Sequence, residues 1–141
     1  MYNASKVAEK GPNGRRDKKH EQQAMFIKML KCKIHRATVT ETKLHYPGSM
    51  AIDSTLMDAA GILPYESVLI ADLNNGNRLE TYVIPAEADS GQIIILGAAA
   101  RLIKPKDLVI IIGFGYFTPE EAKGFKPKVV VLDENNKIIK G

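Results

Sequence analysis

"ESVLIADLNNGNRLETYVI" (Glu66–Ile84) is the stretch whose reading decides the fold. Two runs rich in Val, Ile, Leu, Thr and Tyr flank Asn74–Asn77, "NNGN". β-Branched and aromatic residues suit a pleated, half-buried surface, and Asn-Gly supplies the positive φ angles of a tight hairpin turn. The segment therefore predicts a β-hairpin, and the same grammar repeats on both sides of it.

Upstream, "LKCKIH" (Leu30–His35) sets Leu30, Cys32 and Ile34 on one face and Lys31, Lys33 and His35 on the other, as a half-buried strand does. The apolar phase then moves to Ala37 and Val39, which predicts a bulge near His35. "DSTLMDAAG" (Asp53–Gly61) reads as a short helix capped by Asp53 or Ser54 and stopped by Gly61. Downstream, "QIIIL" and "LVIIIGF" read as buried strands joined through "GAAARLIKPKD" (Gly97–Asp107). "TPEEAK" (Thr118–Lys123) is a capped helical turn with Pro119 at its first position. "PKVVVLD" and "KIIK" bracket a last hairpin at Asp133–Lys137. Many short strands, two short helices and no helix long enough for a parallel crossover predict a small, mainly β barrel.

Residues 1–24 contrast with this. They contain no Leu, Ile or Phe but six Lys/Arg against three acids, so they carry +3 of the chain's net +4. Such a segment buries too little apolar surface to offset its ordering entropy and reads as a disordered basic arm preceding a domain at 25–141. "GRRDKKH" offers a contact to nucleic acid, yet a solvated tail explains it more simply, and the domain itself is nearly neutral. The single cysteine, Cys32, forbids an intrachain disulfide and fits a reducing cytoplasm. The longest apolar run, Leu108–Phe117, is too short for a membrane helix.

Several chemistries find no support. His20, His35 and His45 are the only histidines, and none pairs with Cys32 at a ligand spacing, so no metal is expected. Ser49 sits in "YPGSMA" and not in a G-x-S-x-G elbow. "GFGYF" begins a G-x-G pattern without its third glycine.

"LHYPGSMAID" (Leu44–Asp53) holds the one unusual possibility. Ser49 Oγ can attack the Gly48 carbonyl and turn the amide into an ester. Elimination then breaks the chain, and hydrolysis of the dehydroalanine leaves a pyruvoyl group. Glycine before the serine tolerates the strain this needs. A ketone at a new N-terminus can take up an amine and act as an electron sink.

Taken in order, "KIHRATVT", "LHYPGSMAID", "DAAGI", "NNGNRLETYVI" and "GAAAR" resemble the pyruvoyl-dependent aspartate 1-decarboxylase family from about Met25 to Ile139. The resemblance implies a double-psi β barrel, a homotetramer with sites between subunits, and self-cleavage between Gly48 and Ser49 into chains 1–48 and 49–141. It further implies conversion of L-aspartate to β-alanine and carbon dioxide for pantothenate synthesis, with a Ser49-derived pyruvoyl group as the covalent cofactor. By the same resemblance Tyr82 is the proton donor after decarboxylation, and Arg78 and Lys33 bind substrate carboxylate. Thr81 serves processing and binding, Gly97, Ala98 and Ala99 offer backbone to substrate, and His35 and Tyr46 line the pocket.

On an ideal strand Thr81 points away from Tyr82, so a subunit boundary or a twist at the strand end is needed to bring both to one pocket. Leu96 stands where the family usually has asparagine, and Met50 follows the serine where a small residue is usual. Leu96 motivates the alternative of an uncleaved, impaired relative with a structural or regulatory role. The need for a maturation partner is open at this point.

Overall fold

The computed structural model describes residues 25–141, so the arm expected over 1–24 lies outside the described residues. Nine strands follow in chain order: β1 Ile27–Thr38, β2 Glu41–Lys43, β3 Ser49–Asp53, β4 Ser67–Asp72, β5 Arg78–Ala86, β6 Ile93–Leu96, β7 Leu108–Phe117, β8 Lys128–Leu132 and β9 Ile138–Lys140. Two short helices, α1 (Ser54–Ala60) and α2 (Pro119–Gly124), and a 3-10 turn at Gly97–Arg101 complete the described residues.

The strands lie side by side in the order β2-β6-β3-β5-β4-β7-β1-β8-β9. Closure comes from the chain leaving β1. Thr40 donates its backbone N–H to Ile93 O at 2.8 Å, and its hydroxyl both donates to Ile93 O and accepts from Ile93 N at 3.0 Å. β2 then continues parallel to β6. Six strands, β6-β3-β5-β4-β7-β1, thus close into a small barrel. Ile34, Ile52, Ile70, Val83, Ile95 and Ile111, one from each, fill it with no solvent exposure. Each such side chain contributes on the order of 2 kcal/mol by leaving water.

The phase change in β1 has the predicted cause. Its pairing with β7 slips between Ile34 and Ala37, and Arg36 takes φ 66° inside the slip. One extra residue there returns Ala37 and Val39 to the core. Asp53 caps α1 through Thr55 N at 2.9 Å, and Gly61 ends it with φ 77°. Thr118 and Glu121 form a capping box on α2, with Pro119 leading the helix.

The turn between β4 and β5 is not the expected tight one. Ala71 pairs with Arg78, and of the intervening residues only Gly76 has positive φ, 80°. Asp72 Oδ1 accepts from Asn74 N, and Asn75 Oδ1 from Asn77 N, both at 2.8 Å. These side-chain turns stabilise a longer loop in place of a two-residue reversal. β2 and β3 stand where the sequence pattern predicts no strand.

Asn136, 2 % exposed, joins three segments. Its Oδ1 accepts from Thr38 N, and its Nδ2 donates to Thr38 O and Gly91 O, all at 2.8 Å. The β8–β9 hairpin is thereby fastened to the end of β1 and to the approach to β6. Cys32 is fully buried, and burial pushes its thiol above the ordinary value, which marks it as a small core residue. Among the described residues no helix is long and apolar enough to cross a membrane.

Candidate active site

Gly48 and Ser49 stand where the Leu44–Gly48 segment turns into β3. Gly48 N–H donates to Tyr46 O at 2.6 Å, closing a three-residue turn. Gly48 has φ 27° and Ser49 φ 114°. A non-glycine residue at that angle costs on the order of 1–3 kcal/mol and persists only where its surroundings impose it. Two features do so here. Ser49, 4 % exposed, begins the buried β3 and pairs with Leu96 at the end of β6. Behind the turn lies Gly97, where a Cβ would come within 2.8 Å of Gly48 Cα and 3.1 Å of Tyr46 O. Backbone touches backbone, and only glycine permits it.

A cavity of about 280 Å³ opens on this turn, lined by Gly48, Ser49, Leu79, Glu80, Thr81, Leu96, Ala98, Ala99 and Leu102. Among these, Glu80 alone is charged, and Ser67 Oγ donates to its carboxylate at 3.0 Å. Thr81 lines the cavity, while the Tyr82 hydroxyl, half-exposed, donates to Gly48 O at 3.4 Å. The alternation along β5 does place them on opposite faces, Thr81 half-buried and Tyr82 outward. Both still reach Gly48–Ser49, one through the cavity and one from outside.

The remaining expected residues stand apart from the cavity. Arg78 opens β5 and is exposed. Lys33 is half-buried on β1, opposite Ile112 and Val129. His35 pairs with Val131 on the β8 side, and its Nδ1 is buried with no partner among the described residues. Burial, then the charges of Lys33 and Arg36, push its pKa down and favour the neutral ring. Tyr46, 45 % exposed, gives its carbonyl to the turn, and the Lys43 ammonium lies 6.0 Å from its ring centroid.

Leu96 is buried beside Ser49 as an apolar wall of the cavity. Met50 needs no small residue, because its side chain points into the core with no exposure. Leu79, Glu80 and Leu102 were missed. Leu79 shares the strand phase of Thr81 and was open to inference, whereas Leu102 is reached only through the fold of the 3-10 turn. No group of three or more His, Cys, Asp or Glu able to hold a metal occurs among the described residues.

Comparison with known proteins agrees with this geometry. The family model described as aspartate decarboxylase matches residues 25–139. The aspartate 1-decarboxylase of Acetivibrio thermocellus is 61% identical over 115 residues, covering 82% of this chain and 91% of that protein. Those of Clostridium beijerinckii and Lactiplantibacillus plantarum are 56% and 57% identical over 114 and 116 residues, with 81% and 82% of this chain and 92% and 89% of theirs covered. A barrel with this cavity, carrying that likeness over residues 25–139, belongs to the aspartate decarboxylase family.

Proposed function

We propose that the chain is an aspartate 1-decarboxylase made as a proenzyme, which cuts itself between Gly48 and Ser49 and then converts L-aspartate to β-alanine and carbon dioxide. The observation that carries this reading is the strained Gly48–Ser49 turn, held against Gly97 and opening on a cavity. In the cut, Ser49 Oγ adds to the Gly48 carbonyl and the amide nitrogen leaves, giving an ester. Elimination frees the Gly48 carboxylate, and water replaces the resulting enamine nitrogen, which departs as ammonia. The surroundings fit the product: a small group at residue 49 faces Thr81, Ala98 and Ala99 in the cavity. The pyruvoyl group supplies an electron sink for the pair left by carbon dioxide.

The chain's own residues bind and protonate. The Tyr82 hydroxyl, already directed at Gly48 O, is placed to return a proton at the carbon that lost carboxylate. Arg78 and Lys33 supply the positive charge a dicarboxylate requires, and a planar guanidinium suits a carboxylate best. Among the described residues no cation lines the cavity of one chain, and Arg78 faces outward. This supports assembly with a second copy that presents its cations across a shared site, within the homotetramer expected from the resemblance. His35 and Tyr46 belong to the rim of that shared pocket, and Gly97 acts by close packing. The reading takes 25–141 as one catalytic barrel in the cytoplasm, feeding pantothenate synthesis.

Intact-mass measurement of denatured protein tests it. Two fragments meeting at Gly48/Ser49, the larger beginning in pyruvoyl, are expected, together with β-alanine formation. A permanently uncut, inactive chain would sink the reading. It would favour the alternative, an impaired relative, for which the apolar Leu96 wall at Ser49 is the supporting observation.

Two variants check the roles. Tyr82→Phe is expected to cut normally but to lose about 100-fold or more in kcat, the size of a general-acid contribution. Near-normal kcat would remove Tyr82 from proton transfer. Arg78→Lys keeps the charge but loses the fork, so KM for aspartate is expected to rise about tenfold, the equivalent of about 1.4 kcal/mol; an unchanged KM would take Arg78 out of the site.

A further inference from the structure

Asp72 ends β4 opposite Val109 of β7 and is 3 % exposed. Its Oδ1 accepts from Asn74 N at 2.8 Å, but its Oδ2 is closed off from solvent and meets no donor among the described residues. The neighbouring carboxyl is that of Asp107, brought alongside by Leu108, whose N–H donates to Asn74 Oδ1 and whose carbonyl accepts from Leu73 N, both at 2.8 Å, and it is itself fixed by Lys104 N, which donates to its Oδ2 at 3.0 Å. Two carboxylates can only accept, so a contact between them needs a proton. We infer that Asp72 and Asp107 share one proton, which latches the β4–β5 loop to the entry of β7.

Burial first, and then the hydrogen bond with Asp107, raise the Asp72 carboxyl above the ordinary carboxylate range, although the Asn74 and Asn75 backbone donors pull the other way. The ionisable group acting on Asp72 is Asp107. The neighbouring cations Lys104 and Lys106, on the turn bearing Asp107, and Arg78, on β5, are exposed. The β1–β2 connection contributes Val39 and Thr40, which are uncharged. A folded pKa above the unfolded one makes the latch strongest in acid. Its contribution is lost as pH rises through the folded value.

What the latch holds gives it reach. Asn75 and Asn77, in the loop it anchors, both donate through Nδ2 to Leu102 O, at 3.2 and 2.9 Å. Leu102 lines the cavity at Ser49, and Arg78 follows the loop directly. Loss of the shared proton therefore loosens one cavity wall without touching the Gly48–Ser49 turn.

Asp72→Asn supplies a permanent donor in nearly the same shape, and Asp107→Asn does so from the other side. Melting temperatures of the full chain and both variants are measured from about pH 4 to about pH 9, spanning the ordinary carboxylate and histidine ranges. Asp72→Asn is expected to match the parent at the acid end and to melt progressively higher as pH rises, with Asp107→Asn flattening the profile likewise. Parallel profiles would overturn the shared proton, and if Asp72→Asn does not fold, Asp107→Asn decides alone. Backbone amide exchange at Gly76 and Asn77, compared at each pH with the rate for an open chain, is expected to lose protection with rising pH in the parent only. Equal loss in Asp72→Asn would equally overturn it. Neither readout depends on catalysis, so the latch and the decarboxylase reading can fail separately.

Discussion

Gly97→Ala is expected to yield a chain that stays uncut between Gly48 and Ser49. The new methyl carbon would sit 2.8 Å from Gly48 Cα, 3.0 Å from Gly48 N and 3.1 Å from Tyr46 O, all main-chain atoms that no rotamer change can clear. Gly97 also holds φ 74°, where alanine is disfavoured by about 1–2 kcal/mol. Overpacking adds about 1–3 kcal/mol more. The strain is relieved most directly by moving the Gly48 turn, and that turn carries the carbonyl Ser49 would attack in the proposed cut. Intact mass over time follows the cut, and a melting curve shows whether the barrel survives. Cleavage at the parental rate in a folded variant would mean the contact with Gly97 does not hold the turn.

The second large effect is on stability alone. Asn136→Ala removes three hydrogen bonds at once and leaves Thr38 N, Thr38 O and Gly91 O without that partner inside the fold. It also asks alanine to keep φ 58°. Unmet buried groups cost about 1–3 kcal/mol each, so a total of about 3–5 kcal/mol is expected, with a melting temperature roughly 10–20 °C lower. Asn136→Asp separates the donors from the acceptor: it can still accept from Thr38 N but turns a carboxylate toward two carbonyl oxygens, and it should be no better than alanine. Losses below about 1 kcal/mol in both would show that Asn136 is not the fastening between hairpin and barrel.

Local chemistry was the readable part of this fold. The bulge near His35 follows from a change of phase in five apolar residues, and the caps at Asp53, Gly61 and Thr118 from residue types next to their own helices. β3 escaped because "SMAID" is buried throughout and therefore does not alternate. Closure escaped because it rests on partners far along the chain, Thr40 with Ile93 and Asn136 with Thr38 and Gly91, which periodicity does not record. The Asn74–Asn77 turn misled because Asp72 and Asn75 compete for the backbone amides.

The candidate site divided along the same line. Gly48, Ser49, Thr81, Tyr82 and Gly97–Ala99 come together within one chain, being carried by adjoining strands β3, β5 and β6. Lys33 sits on β1 and Arg78 faces outward, so one copy does not gather them. Their proposed use needs the second copy proposed above, which a single sequence describes only by resemblance.

The way β1 and β2 are woven into the barrel bears on what happens after the proposed cut. Residues up to Gly48 supply β1, gripped by β7 and β8, and β2, laid beside β6. The shorter piece is thus enclosed by strands of the longer one and would stay in place by contacts alone. Unfolding would then change its molecularity: the intact precursor refolds as one chain, but the mature protein must recapture a separated partner, and the missing peptide bond cannot be restored. The mature form should therefore show thermal hysteresis and a dependence on concentration that its own precursor lacks. Ageing by heat would be written into the protein at the moment of its activation.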